Sequence, residues 1–359
     1  MKEFSIGTKI VCGAGAVQTL RNVGAKKLMV VTDPFFAKNG LAQAVADAAN
    51  AQQVKLFDRV QPDPTVELVA EGTAAVREFA PDTLVALGGG SAMDCAKAML
   101  HFAGGNVRLI AIPTTSGSGS EVTDFAILTH NNVKHPLIDS RLRPELAILD
   151  ADLLTGLPPG LVADGGFDVL SHALEALVAK NASPFTDALA KDAFCCAFEA
   201  LPASFSGQTQ VRGKVHIAAT MAGMAFTQAG LGVCHAMSHS LGGMFHVPHG
   251  RLNAILLPAV ISLNGAAGEK YAALARTAGF GGSVDTIAVR NLKNALVRLR
   301  RELKLPETLA QAGVEPREVW RRADEILAAA LKDPCCQTNP VPVTEAMLRK
   351  LLEEVTGRG

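Results

Sequence analysis

Aspartate and histidine side chains at helical spacing are the residues of this sequence best suited to chemistry. Asp168 and His172 are four residues apart in an apolar segment with helical periodicity, so both side chains project from one helix face. His235 and His239 have the same spacing, and His249 follows a proline in a predicted loop. One carboxylate with several imidazoles is a good ligand set for Fe²⁺ or Zn²⁺ and a poor one for Ca²⁺. These residues therefore predict a divalent metal centre.

The segment that carries these histidines has no acidic or basic residue between Lys214 and Arg251. A single histidine on an apolar helix is usually an ordinary core residue whose ring is hydrogen-bonded. Four histidines at positions 235, 239, 246 and 249 are harder to explain in that way, because buried imidazoles need partners and one metal ion serves several. A membrane span would leave them in hydrocarbon at high cost. We expect a buried helical core that contains the site.

A run of glycines predicts a binding site for phosphate groups. The apolar segment 84–87 is followed by Gly-Gly-Gly-Ser at positions 88–91 and then by a helical pattern. A strand that leads through glycines into a helix presents backbone N–H groups and a helix N-terminus to an anion, which can approach closely because glycine has no Cβ. The spacing is not the GxGxxG fingerprint, and considered alone the glycines equally suit a tight turn.

Two other strand ends favour nucleotide binding. The apolar segment 109–112 runs into the sequence Pro-Thr-Thr-Ser-Gly-Ser-Gly-Ser at positions 113–120. Hydroxyls and glycines at the carboxyl end of a parallel strand suit ribose and phosphate groups. The first apolar segment ends in Thr32 and Asp33. Asp33 by itself is typical of a helix start, but beside the other two loops it can bind ribose hydroxyls and repel a 2′-phosphate.

The rhythm of the first half indicates an α/β fold. Short apolar runs at 28–31, 84–87, 109–112 and 146–149 predict buried parallel strands, and helical patterns at 41–49 and 66–79 lie between them. After Asp152 helical periodicity dominates, as in the face formed by Phe167, Leu170, Leu174 and Leu177. We predict a Rossmann-like nucleotide-binding domain over residues 1–157 and an all-α metal- and substrate-binding domain over residues 158–359, with the active site in the cleft between them.

Composition excludes several classes of protein. The 34 basic and 34 acidic residues balance without any block of like charge, which argues against nucleic-acid binding. The N-terminal segment has no apolar signal-peptide core. Two pairs of cysteines, at 195–196 and 335–336, are adjacent and unsuited to ordinary disulfides, so we expect reduced thiols in a cytoplasmic protein. No membrane partner is expected.

Four motifs resemble the iron-containing (group III) alcohol dehydrogenases. They read GGGSAMDCAK, PTTSGSGSEVT, DVLSHALEA and GLGVCHAMSHSLGGMFHVPHG, and the resemblance extends over essentially the whole chain. Within the family, segments such as SPFTDALA at 183–190 are similar to the 1-propanol and ethanol dehydrogenases of bacterial microcompartments. The chain departs from the family at Gly165, Gly166 and Phe167, where Thr-Gly-Met is usual, and at Ser118, where threonine is usual.

The resemblance implies roles for individual residues. The family's metal ligands fall on Asp168, His172, His235 and His249, with Fe²⁺ favoured over Zn²⁺, and its non-ligand histidine near nicotinamide and substrate falls on His239. The NAD(H) contacts fall on Asp33, Gly88, Gly89, Gly90, Ser91, Asp94, Thr114, Thr115, Ser118, Thr123 and Lys134. Phe125, Ile127 and Phe226 are expected to line a small apolar substrate pocket, although such residues are more often plain core.

The expected activity is interconversion of short-chain primary alcohols and aldehydes. A divalent ion lowers the pKa of the alcohol, hydride passes to NAD⁺, and His239 relays the proton. The same superfamily offers glycerol, 1,2-diol or lactaldehyde as alternative substrates, and a dehydroquinate synthase-like lyase as a remote alternative that the uncharged 215–250 stretch disfavours. The family implies a homodimer or larger homo-oligomer. The branch adds residence in a bacterial microcompartment, with shell or cargo proteins as partners.

Overall fold

The computed structural model describes residues 3–130 and 133–357. The chain divides into two compact units. Among the described residues, one unit comprises residues 5–157, and the other comprises residues 158–357 together with residues 3 and 4.

A six-stranded parallel sheet forms the centre of the unit Ser5–Leu157. Its strand order is β1-β8-β5-β4-β2-β3, and β6 and β7 form a separate antiparallel pair. Continuous apolar runs suit strands that are buried on both faces, and β4 is buried along its whole length. The strands are β1 (Lys9–Cys12), β2 (Lys27–Val31), β3 (Gln53–Phe57), β4 (Thr83–Gly88), β5 (Arg108–Pro113), β6 (Phe125–His130), β7 (Val133–Ile138) and β8 (Leu146–Leu149).

Apolar helix faces cover this sheet. The buried residues of α2 are spaced three to four apart, and Thr65 caps α3 by accepting a hydrogen bond from the backbone N–H of Leu68. Both helices have the bounds that the sequence pattern predicts. The helices of this unit are α1 (Pro34–Lys38), α2 (Leu41–Ala49), α3 (Val66–Phe79) and α4 (Gly90–Ala103).

The strand order brings the three predicted nucleotide loops together. Strand β4 lies between β5 and β2, with Gly88 opposite Pro113 and Ala86 opposite Val31. Because all three strands are parallel, the segments that follow them emerge at the same edge of the sheet. Along the chain, β3 is added on one side of β2 and β4 on the other, so the order in which strands are added reverses between β2 and β4. Ligands of open α/β sheets bind at such a position.

The regular structure of the second unit, as far as its residues are described, is entirely helical. Helix α5 follows Pro158 and is buried along most of its length, packed against α6, α7 and α9. His249 is the first residue of α9 and follows the cap residue Pro248, whereas the sequence predicted a loop there. The helices are α5 (Pro159–Val178), α6 (Pro184–Phe205), α7 (Arg212–Ala229), α8 (Val233–Phe245), α9 (His249–Leu263), α10 (Gly268–Thr277), α11 (Asp285–Glu302), α12 (Pro316–Arg321), α13 (Ala323–Lys332), α14 (Pro334–Thr338) and α15 (Glu345–Thr356).

The expected fold class, a parallel α/β unit followed by an all-helical unit, is confirmed. Within the described residues no single helix is long and apolar enough to cross a membrane. Two helix pairs, Thr209–Ala229 with Val233–Phe245 and His249–Leu263 with Gly265–Thr277, reach the required length and composition only together and are bent by 104° and 78°. All seven cysteines are free thiols.

Candidate active site

Three helices of the second unit bring an aspartate and two histidines together. Asp168 on α5, His235 on α8 and His249 on α9 each offer one ligand atom, and these atoms lie within 4.8 Å of one another. The Nε2 atoms of His249 and His235 lie 3.4 and 3.7 Å from the same oxygen, Oδ1 of Asp168. Nitrogen and carboxylate donors that converge in this way fit a divalent transition metal.

His172, the fourth predicted ligand, lies beside this cluster. Its Nε2 is 3.7 Å from Oδ1 of Asp168, one helical turn earlier on α5. Its ring stacks on the ring of His235 with centroids 4.5 Å apart, and on its other neighbour Phe226 at 4.4 Å. The structure thus brings all four predicted ligands to one place, although His172 is outside the set of three whose ligand atoms are mutually close.

Glu175 holds the ring of His235. Its Oε2 lies 2.6 Å from Nδ1 of His235, and its carboxylate also accepts hydrogen bonds from the backbone N–H groups of Cys234 and His235. With Nδ1 held by a carboxylate, Nε2 is left to face Asp168. Sequence reasoning missed Glu175. The available signal was its position three residues after His172, on the same face of α5.

Asn253 holds the carboxylate of Asp168. Its Nδ2 donates a hydrogen bond of 2.9 Å to Oδ1 of Asp168 and lies 3.2 Å from Nε2 of His249. Its own Oδ1 accepts a hydrogen bond from Ser238. Asn253 also escaped the sequence analysis, although it lies one turn after His249 on α9.

Burial and neighbouring charge act in opposite directions on the protonation of this cluster. Burial raises the pKa of Asp168, but the adjacent rings of His172, His249 and His235 outweigh it and hold that pKa below its usual value. Burial lowers the pKa of His235, but the carboxylates of Asp168 and Glu175 raise it to about 9. A negative carboxylate among imidazoles is an arrangement that attracts a cation.

His239 is held by a carboxylate from a distant part of the chain. Its Nδ1 lies 2.8 Å from Oδ2 of Asp333, and its ring stacks on the ring of His249 with centroids 5.2 Å apart. Burial raises the pKa of Asp333, but the hydrogen bond with His239 outweighs it and lowers that pKa to about 2. Asp333 is 94 residues from His239, and no spacing pattern could have found it.

The glycine run forms a cradle between two loops. A Cβ at Gly89 would lie 3.1 Å from Oγ1 of Thr115, and one at Gly90 would lie 3.2 Å from Cβ of Ser118. Gly88 has a φ of +148°, and a Cβ there would meet Ala92 at 2.7 Å. Thr114, in the second loop, donates its backbone N–H to the carbonyl of Gly88. The absence of side chains at these glycines lets the two loops approach each other and leaves the backbone N–H groups at the start of α4 uncovered, an arrangement that fits the phosphate groups of a dinucleotide.

Asp33 serves as a helix cap and also faces the cradle. Its Oδ1 accepts hydrogen bonds from the backbone N–H groups of Phe35 and Phe36 at the start of α1. Its Oδ2 lies 4.0 Å from the position of a Cβ on Gly88. The two roles that the sequence allowed for Asp33 are therefore compatible, since each uses a different oxygen.

A buried lysine that the sequence analysis did not single out links the predicted cofactor residues. Lys97 is 1% exposed, and its three Nζ–H groups are shared among four oxygens at 2.9 to 3.0 Å, which are Oγ of Ser120, Oγ1 of Thr123 and the carbonyls of Thr123 and Phe125. The carboxylate of Asp94 accepts a hydrogen bond from Ser120. Burial lowers the pKa of Lys97 to about 8. This network ties α4 to the loop and strand that follow it.

The remaining predicted cofactor contacts lie beside the cradle. Lys134 forms a 2.7 Å ion pair with Asp63, whose backbone N–H donates to Oγ of Ser91. Ser118 accepts a hydrogen bond from the backbone N–H of Ser120. Lys134 is thus joined to the glycine run through Asp63.

The predicted pocket residues belong to different units. Phe226 is buried on α7 against the ring of His172. Phe125 and Ile127 are partly buried on β6, and the Phe125 ring lies 5.9 Å from Nζ of Lys97. Of these three residues, Phe226 is the one that lies in the same unit as the predicted metal ligands and contacts one of them.

A parallel sheet with a glycine cradle and a separate centre of aspartate and histidine are the parts of a metal- and nucleotide-dependent oxidoreductase. Residues 7–151 match the iron-containing alcohol dehydrogenase family, and residues 162–356 match the C-terminal part of the Fe-containing alcohol dehydrogenase family. The chain belongs to this family. The resemblance inferred from the four motifs is confirmed.

Proteins that are similar to this chain over their full length support the family assignment. The chain is 40% identical to the 1-propanol dehydrogenase PduQ of Citrobacter freundii, over 99% of this chain and all of that protein. It is 36% identical to an NADPH-dependent butanol dehydrogenase of Clostridium saccharobutylicum, over 98% and 97% of the two chains. The solved structure of a sulfoacetaldehyde reductase from Bifidobacterium kashiwanohense in complex with NAD⁺ superposes with a TM-score of 0.90 at 27% identity and covers both chains completely.

The protein is therefore an alcohol dehydrogenase, an enzyme that interconverts alcohols and aldehydes by hydride transfer with a nicotinamide cofactor. Its family depends on a metal ion. The lyase alternative is excluded.

Proposed function

We propose that the enzyme interconverts short-chain primary alcohols and aldehydes, propanal and 1-propanol or acetaldehyde and ethanol, with NAD(H). The observation that carries this proposal is the convergence of Asp168, His235 and His249 on one point beside the buried ring of Phe226 and the ring of His172. An apolar wall beside a metal centre suits a small alkyl substituent. The 1-propanol dehydrogenase of Citrobacter freundii, similar over its full length, supports the same substrate class.

Asp168, His172, His235 and His249 would hold the metal ion, with Fe²⁺ favoured over Zn²⁺. The ion would polarise the substrate oxygen, and NAD(H) would accept or supply the hydride. Glu175 and Asn253 keep two of these ligands in place, since one holds Nδ1 of His235 and the other donates to Asp168. The donor set is already assembled by buried hydrogen bonds, so binding requires little rearrangement.

His239 moves the proton. Asp333 accepts the Nδ1–H of His239, which leaves Nε2 as the atom that can take up or release a proton. During alcohol oxidation Nε2 accepts the proton that leaves the substrate hydroxyl, and during aldehyde reduction it returns one. The exposed fraction of the His239 side chain is 24%, which gives the ring an exit to solvent.

NAD(H) binds through the glycine cradle and the residues around it in the unit that begins the chain. Gly88, Gly89, Gly90 and Ser91 take the pyrophosphate together with Thr114, Thr115 and Ser118, while Asp33 takes the adenosine ribose. Asp94, Thr123 and Lys134 support this binding through the Lys97 network and the Asp63 ion pair. Residues 1–157 are thus proposed as the NAD-binding domain, and residues 158–359 as the metal- and substrate-binding domain.

The assembly and the location of the enzyme are also proposals. The resemblance to microcompartment-associated dehydrogenases supports a cytoplasmic homo-oligomer that is enclosed in a microcompartment with shell or cargo proteins. Phe125 and Ile127 are proposed as further pocket residues on the same resemblance.

A substrate panel and metal analysis test the proposal together. NADH oxidation is followed with propanal, acetaldehyde, lactaldehyde and dihydroxyacetone on anaerobically purified protein whose iron and zinc are quantified. We expect the highest kcat/KM with propanal or acetaldehyde, and iron bound at one ion per chain. Preference for dihydroxyacetone or lactaldehyde would assign the enzyme to glycerol, diol or lactaldehyde chemistry instead.

A further inference from the structure

A second group of side chains of the types that bind metal ions lies next to the predicted centre and shares no residue with it. His239, Asp333 and Cys335 each offer one ligand atom, and the three atoms lie within 4.8 Å of one another. We propose that these residues form a second, inhibitory site for a thiophilic divalent cation such as Zn²⁺. The cation would bind reversibly as an effector and would be distinct from the ion that stays bound in the catalytic centre.

The geometry needs only small movements. Zinc binds nitrogen, oxygen and sulfur ligands at about 2.0 to 2.3 Å in a tetrahedron, so its ligand atoms lie roughly 3.3 to 3.7 Å apart. His239 and Asp333 are already in contact at 2.8 Å, and the backbone N–H of Cys335 donates to the other oxygen of Asp333. The side chains of His239 and Asp333 are 24% and 15% exposed, so an ion can reach the group from solvent through them.

Only one of the two adjacent cysteines is part of this group. Sγ of Cys336 donates to the carbonyl of Ala330 at 3.0 Å and is committed to the end of α13. Cys335 instead contributes its thiol to the group formed with His239 and Asp333. The cysteine pair therefore provides a ligand and, one residue away, a matched control.

Sulfur distinguishes this site from the catalytic centre. The ligands proposed there are one carboxylate and imidazoles, which bind Fe²⁺ well, whereas a thiolate selects softer ions such as Zn²⁺. Binding displaces the proton of the Cys335 thiol, which leaves to solvent as the sulfur–metal bond forms. Mg²⁺ and Ca²⁺, which prefer oxygen ligands, are expected not to compete.

Occupation of this site would stop proton transfer. A cation held by Asp333 and Cys335 takes the lone pair of Nδ1 of His239, the nitrogen that faces Asp333. Nε2 then carries the one proton of the neutral ring and cannot accept another from the substrate. This inhibitory effect rests on the proposed role of His239, whereas the binding itself does not. The ring of His239 also stacks on that of His249, so the two sites are neighbours.

Cobalt provides a direct test of binding. The full-length protein is first loaded with its resident metal and then titrated with Co²⁺, because a thiolate ligand produces a near-ultraviolet charge-transfer absorption that carboxylate and imidazole ligands do not. We expect this absorption in the unaltered enzyme and in Cys336→Ser, and its loss in both Cys335→Ser and Cys335→Ala. Asp333→Asn should weaken Co²⁺ binding. Absorption that persists in the folded Cys335 variants, or that never forms in the unaltered enzyme, would overturn the site.

Inhibition by Zn²⁺ is measured separately, with each variant compared with its own zinc-free rate. Zinc should inhibit the unaltered enzyme and Cys336→Ser but not Cys335→Ser, while the resident metal stays bound by elemental analysis. Inhibition that accompanies release of the resident metal, or that is equal in the two cysteine variants, would overturn the inhibitory role. An enzyme without alcohol dehydrogenase activity would contradict the proposed function but leave the cobalt result intact.

Discussion

The carboxylate of Glu175 lies 2.6 Å from Nδ1 of His235, and the two side chains are 2% and 1% exposed. Their contact fixes the ring of His235 so that its other nitrogen faces Asp168, 3.7 Å away. A buried carboxylate–histidine pair of this kind orients a metal ligand and makes it more basic.

Glu175→Gln should lower metal affinity by about 10- to 100-fold, the usual effect of removing such an orienting group. The amide keeps the size of the side chain but loses the charge that holds the ring. Competition with a chelator measures the change, and Glu199→Gln, at an exposed position of α6, is the control for loss of a carboxylate. Equal metal affinity in the two variants would mean that Glu175 contributes packing alone.

His249→Ala should abolish both bound metal and turnover, because it removes a ligand atom within 3.4 Å of Oδ1 of Asp168. The His249 side chain is 29% exposed, so the fold should survive. His246→Asn is the matched control, since His246 is exposed and ends α8 with a φ of 55° that asparagine tolerates. Elemental analysis and circular dichroism check the outcome. A His249→Ala enzyme that kept its metal would remove His249 from the ligand set.

Replacement of Asp33 tests cofactor choice. The unaltered enzyme should prefer NAD(H) over NADP(H), because a carboxylate at this position repels the 2′-phosphate. Asp33→Ser should narrow that preference while the serine hydroxyl still caps α1, whereas Asp33→Gly also loses the side-chain cap. The ratio of kcat/KM for the two cofactors is the measurement. If the unaltered enzyme used both equally, Oδ2 of Asp33 would not face the ribose.

His239→Ala should retain metal and NAD(H) but lose turnover by a factor on the order of 10², as expected of a general acid–base group. Asp333→Asn should reduce turnover less, because Nε2 remains but Nδ1 is no longer held by a charge. Stopped-flow measurement of the chemical step separates this loss from slow product release. Loss of metal in His239→Ala would instead make His239 a ligand of the catalytic centre.

Lys97 should make stability depend on pH above neutrality. Its pKa is lowered from 10.5 to about 8 by burial, so between these values the unfolded chain binds more protons than the folded one. The free energy of unfolding then rises with pH by up to about 1.4 kcal/mol per unit in this window, and the contribution is lost as the pH falls through 8. Urea unfolding of the unaltered protein and of Lys97→Met at pH 7.5 and 9.5 isolates the contribution of Lys97 to the free energy of unfolding. Parallel pH dependences in the two proteins would contradict it.

The hydrophobic pattern of a single segment was enough to predict several strands and helices. Continuous apolar runs predicted the four inner strands β2, β4, β5 and β8, and helical spacing predicted α2 and α3. The outer strands β1 and β3 were missed because they are half exposed and carry lysine or glutamine among their apolar residues. The sequence predicted a loop at His249, which is the first residue of α9. A residue that follows a proline suits either a loop or the start of a helix, so the local sequence did not distinguish the two.

The sequence by itself determined the chemistry of this protein. The type and spacing of Asp168, His172 and the histidines of α8 predicted the metal centre, and the glycine run at 88–90 predicted the phosphate-binding loop through the absence of side chains. Only the tertiary structure decided which partners hold them. Glu175 and Asp333 meet His235 and His239 across 60 and 94 residues of chain. Such contacts depend on how helices pack against one another, and the packing of many side chains leaves no local pattern in the sequence.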